Sequence, residues 1–216
     1  MLKLADFTQD ELAEYTARQV DALVPDGKDA VRQRIRAHLP EALSRLGKCI
    51  NAVRMWTPDV FDYLHSSQYC LYLYYLSNTI WRNTDDRQAC TRLFLLNKAL
   101  NGIDCFYEIE MPDVFFIGHS VGIVLAKATY SNYLVLYQNS TVGKNHGVAP
   151  VLGEGVVMYP NTAIIGRCNV GARTILAQGT SVVNADCPGN SIVFNADGAR
   201  IVTRAIKRDV WQDIFR

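Results

Sequence analysis

The chain has 216 residues, 49% of them hydrophobic and 20% charged, with a formal net charge of +1. This is an ordinary globular composition, long enough for one large or two small domains. Near-neutral charge excludes a broad electrostatic footprint for nucleic acid, and no apolar run approaches the roughly 18 residues that span a bilayer.

The start, Met1-Leu2-Lys3-Leu4-Ala5-Asp6, turns acidic at once and lacks the apolar stretch of a signal peptide. Cys49, Cys70, Cys90, Cys105, Cys168 and Cys187 include no Cys-x-x-Cys pair. They read as reduced, mostly buried thiols of a cytoplasmic protein.

The first hundred residues read as helical. Thr8-x-x-Glu11 is a capping box opening an amphipathic helix toward Val24, ended by Pro25-Asp26-Gly27. A second helical stretch covers Asp29 to Val53, interrupted or kinked at Pro40. Ser66 to Trp81 carries Tyr69, Leu71, Tyr72, Leu73, Tyr74, Tyr75 and Leu76, the pattern of a helix buried in a bundle. A further helix, Asp86 to Leu100, closes on Asn101-Gly102. Phe106, Ile109 and Val114 then alternate in an extended link, so a domain boundary is expected near Gly102.

From there a period of six takes over. Leu152, Met158, Ile164, Val170, Leu176 and Val182 fall six apart, and Val156, Thr162, Cys168, Thr174 and Thr180 lie two residues before the later members. Six matches neither a helix nor a flat strand, and ordinary alternating strands rarely hold one phase for about 30 residues. It matches a triangular coil in which each hexad is one short strand and three hexads make a turn. The fold expected is therefore α+β: an N-terminal α-helical domain followed by a left-handed parallel β-helix of hexapeptide repeats. An upstream run, Ile117, Ile123, Thr129, Val135 and Thr141, is out of phase with the first by two hexads plus three. The turn-rich stretch Gly143 to Pro150 is the expected ejected loop, and insertions in solenoids map to loops on one face, often the binding face. After Val183, Ser191–Phe194 and Ala199–Val202 look like closing strands. The tail Ala205 to Arg216 reads as a short helix covering the open end of the prism. The expected division is 1–102, helical; 103–204, β-helix; and 205–216, tail.

Of four histidines, His38 reads as a surface residue and His65 as a capping residue of the aromatic helix. His119 interrupts the first coil and His146 sits on the ejected loop. Hexad counting puts 119 in an inward slot, so a satisfied core histidine stays open at this point. Asp104, fifteen residues earlier, is a candidate partner for the imidazole. A three-histidine metal site on the coil lacks its third ligand, so no metal is expected.

Gly118-His119-Ser120-Val121-Gly122-Ile123-Val124 resembles the Asp-His-Ala-Thr-Gly-Ile-Val segment of bacterial and plant serine acetyltransferases, and Asp104 has that family's spacing to the histidine. Tyr137 to Gly143 resembles its Leu-Gln-Ser-Val-Thr-Leu-Gly strand, Gly143-Lys144-Asn145-His146 its Gly-Lys…Arg-His loop, and Gly198-Ala199-Arg200-Ile201-Val202 its closing Pro-Ala-Arg-Ile-Val. The resemblance implies an acetyl-CoA-dependent O-acetyltransferase. His119 would be its general base and Asp104 would orient that base, while backbone amides near Gly143 would hold the oxyanion and His146 the acceptor. It implies a pantetheine track past Gly143, Lys144, Asn161, Thr162, Ala177 and Gly179. Gly118 stands where the family has an aspartate and Asn145 where it has an arginine, both contacts to serine; Asp59 and Asp62 are the candidates to compensate. The alternatives are an acetyltransferase for a sugar or other small alcohol, and an inactive prism of this fold serving as a binding or structural protein.

Flat prism faces imply a homotrimer or a dimer of trimers, with no nucleic acid or membrane as partner. His119 and His146 are 27 residues apart, which puts them on adjacent faces and points to a site shared between neighbouring subunits.

Overall fold

The computed structural model describes residues 2–27, 30–197 and 200–216. Helix α1, Gln9–Leu23, opens as its capping box requires: the Thr8 hydroxyl accepts from Glu11 N, and Glu11 accepts from Thr8 N at 2.7 Å. Helix α2, Ala30–Ala52, runs through Pro40 without a break, against the expected interruption. One missing N–H removes a single rung, and packing on both sides carries the helix past it. The expected start at Asp29 lies outside the described residues.

Helix α3, Ser66–Thr84, is buried continuously from Ser67 to Ile80, and helix α4, Arg87–Asn101, ends on Gly102 at φ +63°. The α3 tyrosines are core residues whose hydroxyls are all engaged. Tyr72 meets Thr16 at 2.9 Å, Tyr74 donates to Ile109 O at 2.7 Å and Tyr75 to Asp113 O at 2.9 Å. The last two bonds fasten the helices to the segment entering the coil. Strands β1, Lys3–Leu4, and β2, Val60–Phe61, form a small parallel pair. All six cysteines are free and buried; burial pushes the thiols of Cys49 and Cys187 up to about 11 and of Cys70 and Cys90 to about 12.

The rest is a left-handed parallel coil of three sheets. The first sheet stacks β3 (Asp104–Cys105), β5 (Val124–Leu125), β7 (Thr141–Gly143), β10 (Ala163–Ile165) and β13 (Ser181–Val183). The second stacks β4 (Phe115–Ile117), β6 (Leu134–Leu136), β9 (Val157–Met158), β12 (Thr174–Leu176) and β14 (Ser191–Ala196), with β15 (Arg200–Ala205) antiparallel at the end. The third holds β8 (Val151–Leu152) and β11 (Asn169–Val170). Ile164 pairs with Val182 and Leu152 with Val170, eighteen residues apart, or three hexads. Every member of the Leu152–Val182 clock is buried.

Upstream the expected phase is one residue off. Val142 pairs with Ile164 and Leu136 with Met158, so Leu136 and Val142 point inward rather than Val135 and Thr141. Val135 is nonetheless buried, because the outer face of the second sheet is covered: Phe116, Val135, Val157 and Ile175 share it and all are buried. Burial on both faces makes an outer valine look like an inner one. Both pairs are 22 residues apart, so the insertion is four residues and not three.

The tail also departs from expectation. It does not close the prism's end, where β15 lies. It runs back along the side of the coil to the helices as α5, Trp211–Ile214. Trp211 Nε1 donates to Gly155 O at 2.8 Å, Phe215 packs on Tyr133 at 5.2 Å and bridges Val53. The Arg216 guanidinium donates to Asn51, Val53, Arg54 and Trp56 carbonyls just past α2, where a helix leaves acceptors unpaired. Gly198 and Ala199 of the closing motif lie outside the described residues.

Candidate active site at the edges of the first sheet

The corner between the second and first sheets is regular in the lower turns. Leu136 to Thr141, Met158 to Ala163 and Leu176 to Ser181 each advance five residues between paired positions. Ile117 to Val124 advances seven. The two extra residues swell the corner at Gly118–Gly122 and turn His119 outward. The histidine is exposed, so the inward slot expected from the hexad count is not where it sits. The swelling is pinned on the α4 side: Ser120 Oγ donates to Asn101 O at 2.7 Å, Gly122 N to Gly102 O at 2.9 Å and Asp104 N to Ile123 O at 2.8 Å. These bonds set Asp104 and His119 on neighbouring turns at one corner. The Asp104 carboxylate accepts from Lys98 Nζ at 2.6 Å through Oδ2, leaving Oδ1 facing no donor. No hydrogen bond joins His119 to another described side chain.

Below this corner runs a column of left-handed residues, Gly122, Asn139, Asn161 and Gly179, with φ of +76°, +59°, +62° and +76°. Gly and Asn tolerate that region best, which explains their recurrence at the spacing of a turn. Asn139 Nδ2 donates to Asn161 Oδ1 at 2.9 Å. Asn161, Ala177 and Gly179 of the expected cofactor track therefore line the corner that His119 heads. Thr162 is buried, its hydroxyl donating to Tyr159 O, so its side chain is turned away from the surface.

The four inserted residues form a hairpin at the opposite edge of the first sheet. Asn145 and Val148 exchange two backbone bonds of 3.0 Å, and His146 and Gly147 both take positive φ, +46° and +80°. That is the geometry of a two-residue type I′ turn. It places the His146 side chain, exposed, at the tip, with Gly143, Lys144 and Asn145 on the approach. The hairpin base packs on Gly166, where an added Cβ would lie 2.7 Å from Asn145 Cβ.

The helical side contributes less than expected. Asp59 turns away: its carboxylate accepts from Asn51 Nδ2 and its amide donates to Asn51 Oδ1, both at 2.7 Å. Asp62 caps its own loop, accepting from Leu64 N at 2.9 Å, just ahead of α3. His65 is the α3 N-cap, as expected. From the first turn of α3, Ser67 Oγ donates to Gly118 O at 3.3 Å. The residue that sequence reasoning passed over is Tyr137. Its ring occupies the space beside Gly118, where a Cβ would lie 2.5 Å from Cδ1 and closer still to Cε1. Tyr137 stacks on Tyr159 at 5.5 Å and 14°. The recurrence of tyrosine after 22 residues, one expanded turn, was the available signal.

No protein-family profile matches the chain. A serine acetyltransferase of Buchnera aphidicola is 27% identical over 147 residues, 62% of this chain and 55% of its own length. A putative serine acetyltransferase of Schizosaccharomyces pombe is 23% identical over 125 residues, 56% of this chain and 46% of its own length. The chain thus spans about half the length of these curated relatives. The serine acetyltransferase of Vibrio cholerae superposes with a TM-score of 0.75 at 19% identity, over 97% of this chain and 84% of that one. A serine acetyltransferase solved in complex with CoA gives 0.70 at 20% identity, over 91% and 85%. The fold is that of the serine acetyltransferases. Among the described residues, no helix is long and apolar enough to cross a membrane, and no three His, Cys, Asp or Glu side chains gather as metal ligands.

Proposed function

We propose that the chain is an acetyl-CoA-dependent O-acetyltransferase. The observation that carries this reading is His119, held exposed on the one swollen corner of the coil with Asp104 on the next turn. A hydroxyl with a pKa of about 16 is a poor nucleophile, and a positioned general base contributes about 100- to 10,000-fold. His119 takes the hydroxyl proton as the oxygen bonds the thioester carbon, and returns it to the sulfur as the carbon–sulfur bond breaks. Asp104 orients the imidazole through its free Oδ1.

The first sheet suits an extended acyl carrier. Its outward positions Thr141, Ala163 and Ser181 are small, with Asn161, Ala177 and Gly179 at one edge and Gly143 and Lys144 at the other. His119 and His146 flank this sheet from opposite edges, about five residues or about 16 Å apart at 3.3 Å per residue. One acceptor cannot touch both within a chain. The site is therefore completed between copies, in a trimer or a pair of trimers, with the hairpin of one subunit reaching the swollen corner of another. Exposed Val121, Val124 and Val183 border the same sheet and give a neighbour apolar ground. The helical part, 1–102, supports the β-helix, 103–204, through Ser67 and Gly118. Release of free thiol from acetyl-CoA, with and without hydroxyl acceptors, tests the activity; no acceptor-dependent release by the folded protein would refute it.

A further inference from the structure

The swollen corner recognises a neutral partner by its chemistry. Across four turns it comprises Gly118–Gly122, Tyr137–Asn139, Tyr159–Asn161 and Ala177–Gly179, and apart from His119 and the two phenols it contains no ionisable side chain. Gly118, Tyr137, Tyr159 and Ala177 form one column, since Gly118 N bonds Leu136 O, Tyr137 N bonds Met158 O and Tyr159 N bonds Leu176 O. The two rings are half-buried and burial pushes the Tyr137 phenol up, so they present aromatic surface and no charge. A carboxylate cannot be restored at 118 while Tyr137 fills that volume.

Gln138, one turn below His119, adds the second observation. Its Oε1 is buried and has no hydrogen-bond partner among the described residues. Buried amide oxygens are nearly always paired. An acceptor lying over the Tyr137–Tyr159 ladder and offering one hydroxyl to His119 would supply a donor to Gln138 only if it carried a second hydroxyl. An amino-acid zwitterion finds neither counter-charge here, and a monohydric aryl alcohol leaves Gln138 orphaned.

Resting on the transferase reading above, we infer that the acceptor is a neutral sugar. The apolar C–H face of its ring stacks on Tyr137 and Tyr159, one ring hydroxyl is acetylated at His119, and another donates to Gln138. Tyr159 and Gln138 are then specificity residues, acting on the acceptor and not on acetyl-CoA.

The test uses the full chain with saturating acetyl-CoA and three acceptors: neutral methyl pyranosides, L-serine and benzyl alcohol. Thiol release is measured, and pyranoside binding is followed separately by saturation-transfer NMR without acetyl-CoA. The expected result is preferred turnover of at least one pyranoside. Tyr159→Ala and Gln138→Leu should each raise its KM about tenfold, the loss of one stacking or hydrogen-bond contact, with the KM for acetyl-CoA unchanged. Gln138→Leu should leave any benzyl alcohol turnover unaltered, a split that general damage to the site would not produce. L-serine preferred over every pyranoside, or pyranoside KM insensitive to Tyr159→Ala, would overturn the sugar assignment and leave the transferase standing. Pyranoside binding weakened by Tyr159→Ala, without thiol release for any acceptor, would support the sugar site and overturn the transferase. Absence of pyranoside binding would overturn the sugar site.

Discussion

The lower and upper turns of the coil obey different rules. Below Leu152 the chain keeps eighteen residues per turn between Leu152 and Val170 and between Ile164 and Val182, and the clock side chains are sealed inside. Above it the coil breaks step twice, with two added residues at Gly118–Gly122 and four at Asn145–Val148. Each break lies at an edge of the first sheet, and each lifts a histidine into solvent. A solenoid gains stability from repetition; here its chemistry is carried where repetition fails. The regular turns make the scaffold, and the irregular ones carry side chains that the triangular section would otherwise turn inward or crowd.

That division can be broken by experiment. His119→Ala should lower kcat by about 100- to 10,000-fold, the general-base contribution, with acetyl-CoA binding by calorimetry unchanged; activity within about threefold of wild type would remove His119 from the chemistry. Met158→Ala, in the regular region, should do the opposite. Loss of a fully buried side chain costs about 2–5 kcal/mol in denaturant melts, while transfer per folded molecule stays near wild type. Deleting Asn145–Val148 restores eighteen residues per turn, so the thermal transition should survive while transfer falls by about a hundredfold, the cost of misplaced site groups. Loss of folding instead would make the hairpin structural. Asp104→Asn should cost about tenfold in kcat, less than removal of the base, because the imidazole survives without its orienting charge. A variant equal to wild type would leave Asp104 serving Lys98 alone.

How far the sequence was legible follows the same line. The lower clock was plain because only its inward positions are aliphatic without exception. The upper run misled because Val135 is buried on the outer face, and an apolar pattern does not say which side is covered. The hairpin announced itself as a phase slip, but its length came out one residue short for the same reason. His119 was singled out by motif and spacing; its outward direction depended on two extra residues that a strict count absorbs. Pro40 warned of a break that tertiary packing overrides. The tail's apolar residues were visible, but not that they return to the corner at Tyr133 and Gly155 and to the helices. Gly118 read as a lost carboxylate. Only the structure shows that the Tyr137 ring fills the space, because the two residues are nineteen apart in sequence and adjacent on the coil.

The central claim is that the two breaks in the clock meet in one site formed by neighbouring subunits. Its most direct measurement is complementation. His119→Ala and His146→Ala proteins, each inactive alone, are mixed under conditions that exchange subunits, with exchange verified by native mass spectrometry, and acceptor-dependent thiol release from acetyl-CoA is followed. The account predicts partial recovery of activity, from interfaces that pair an intact His119 with an intact His146. No recovery after verified exchange, or a protein that is monomeric and active at micromolar concentration, would contradict it.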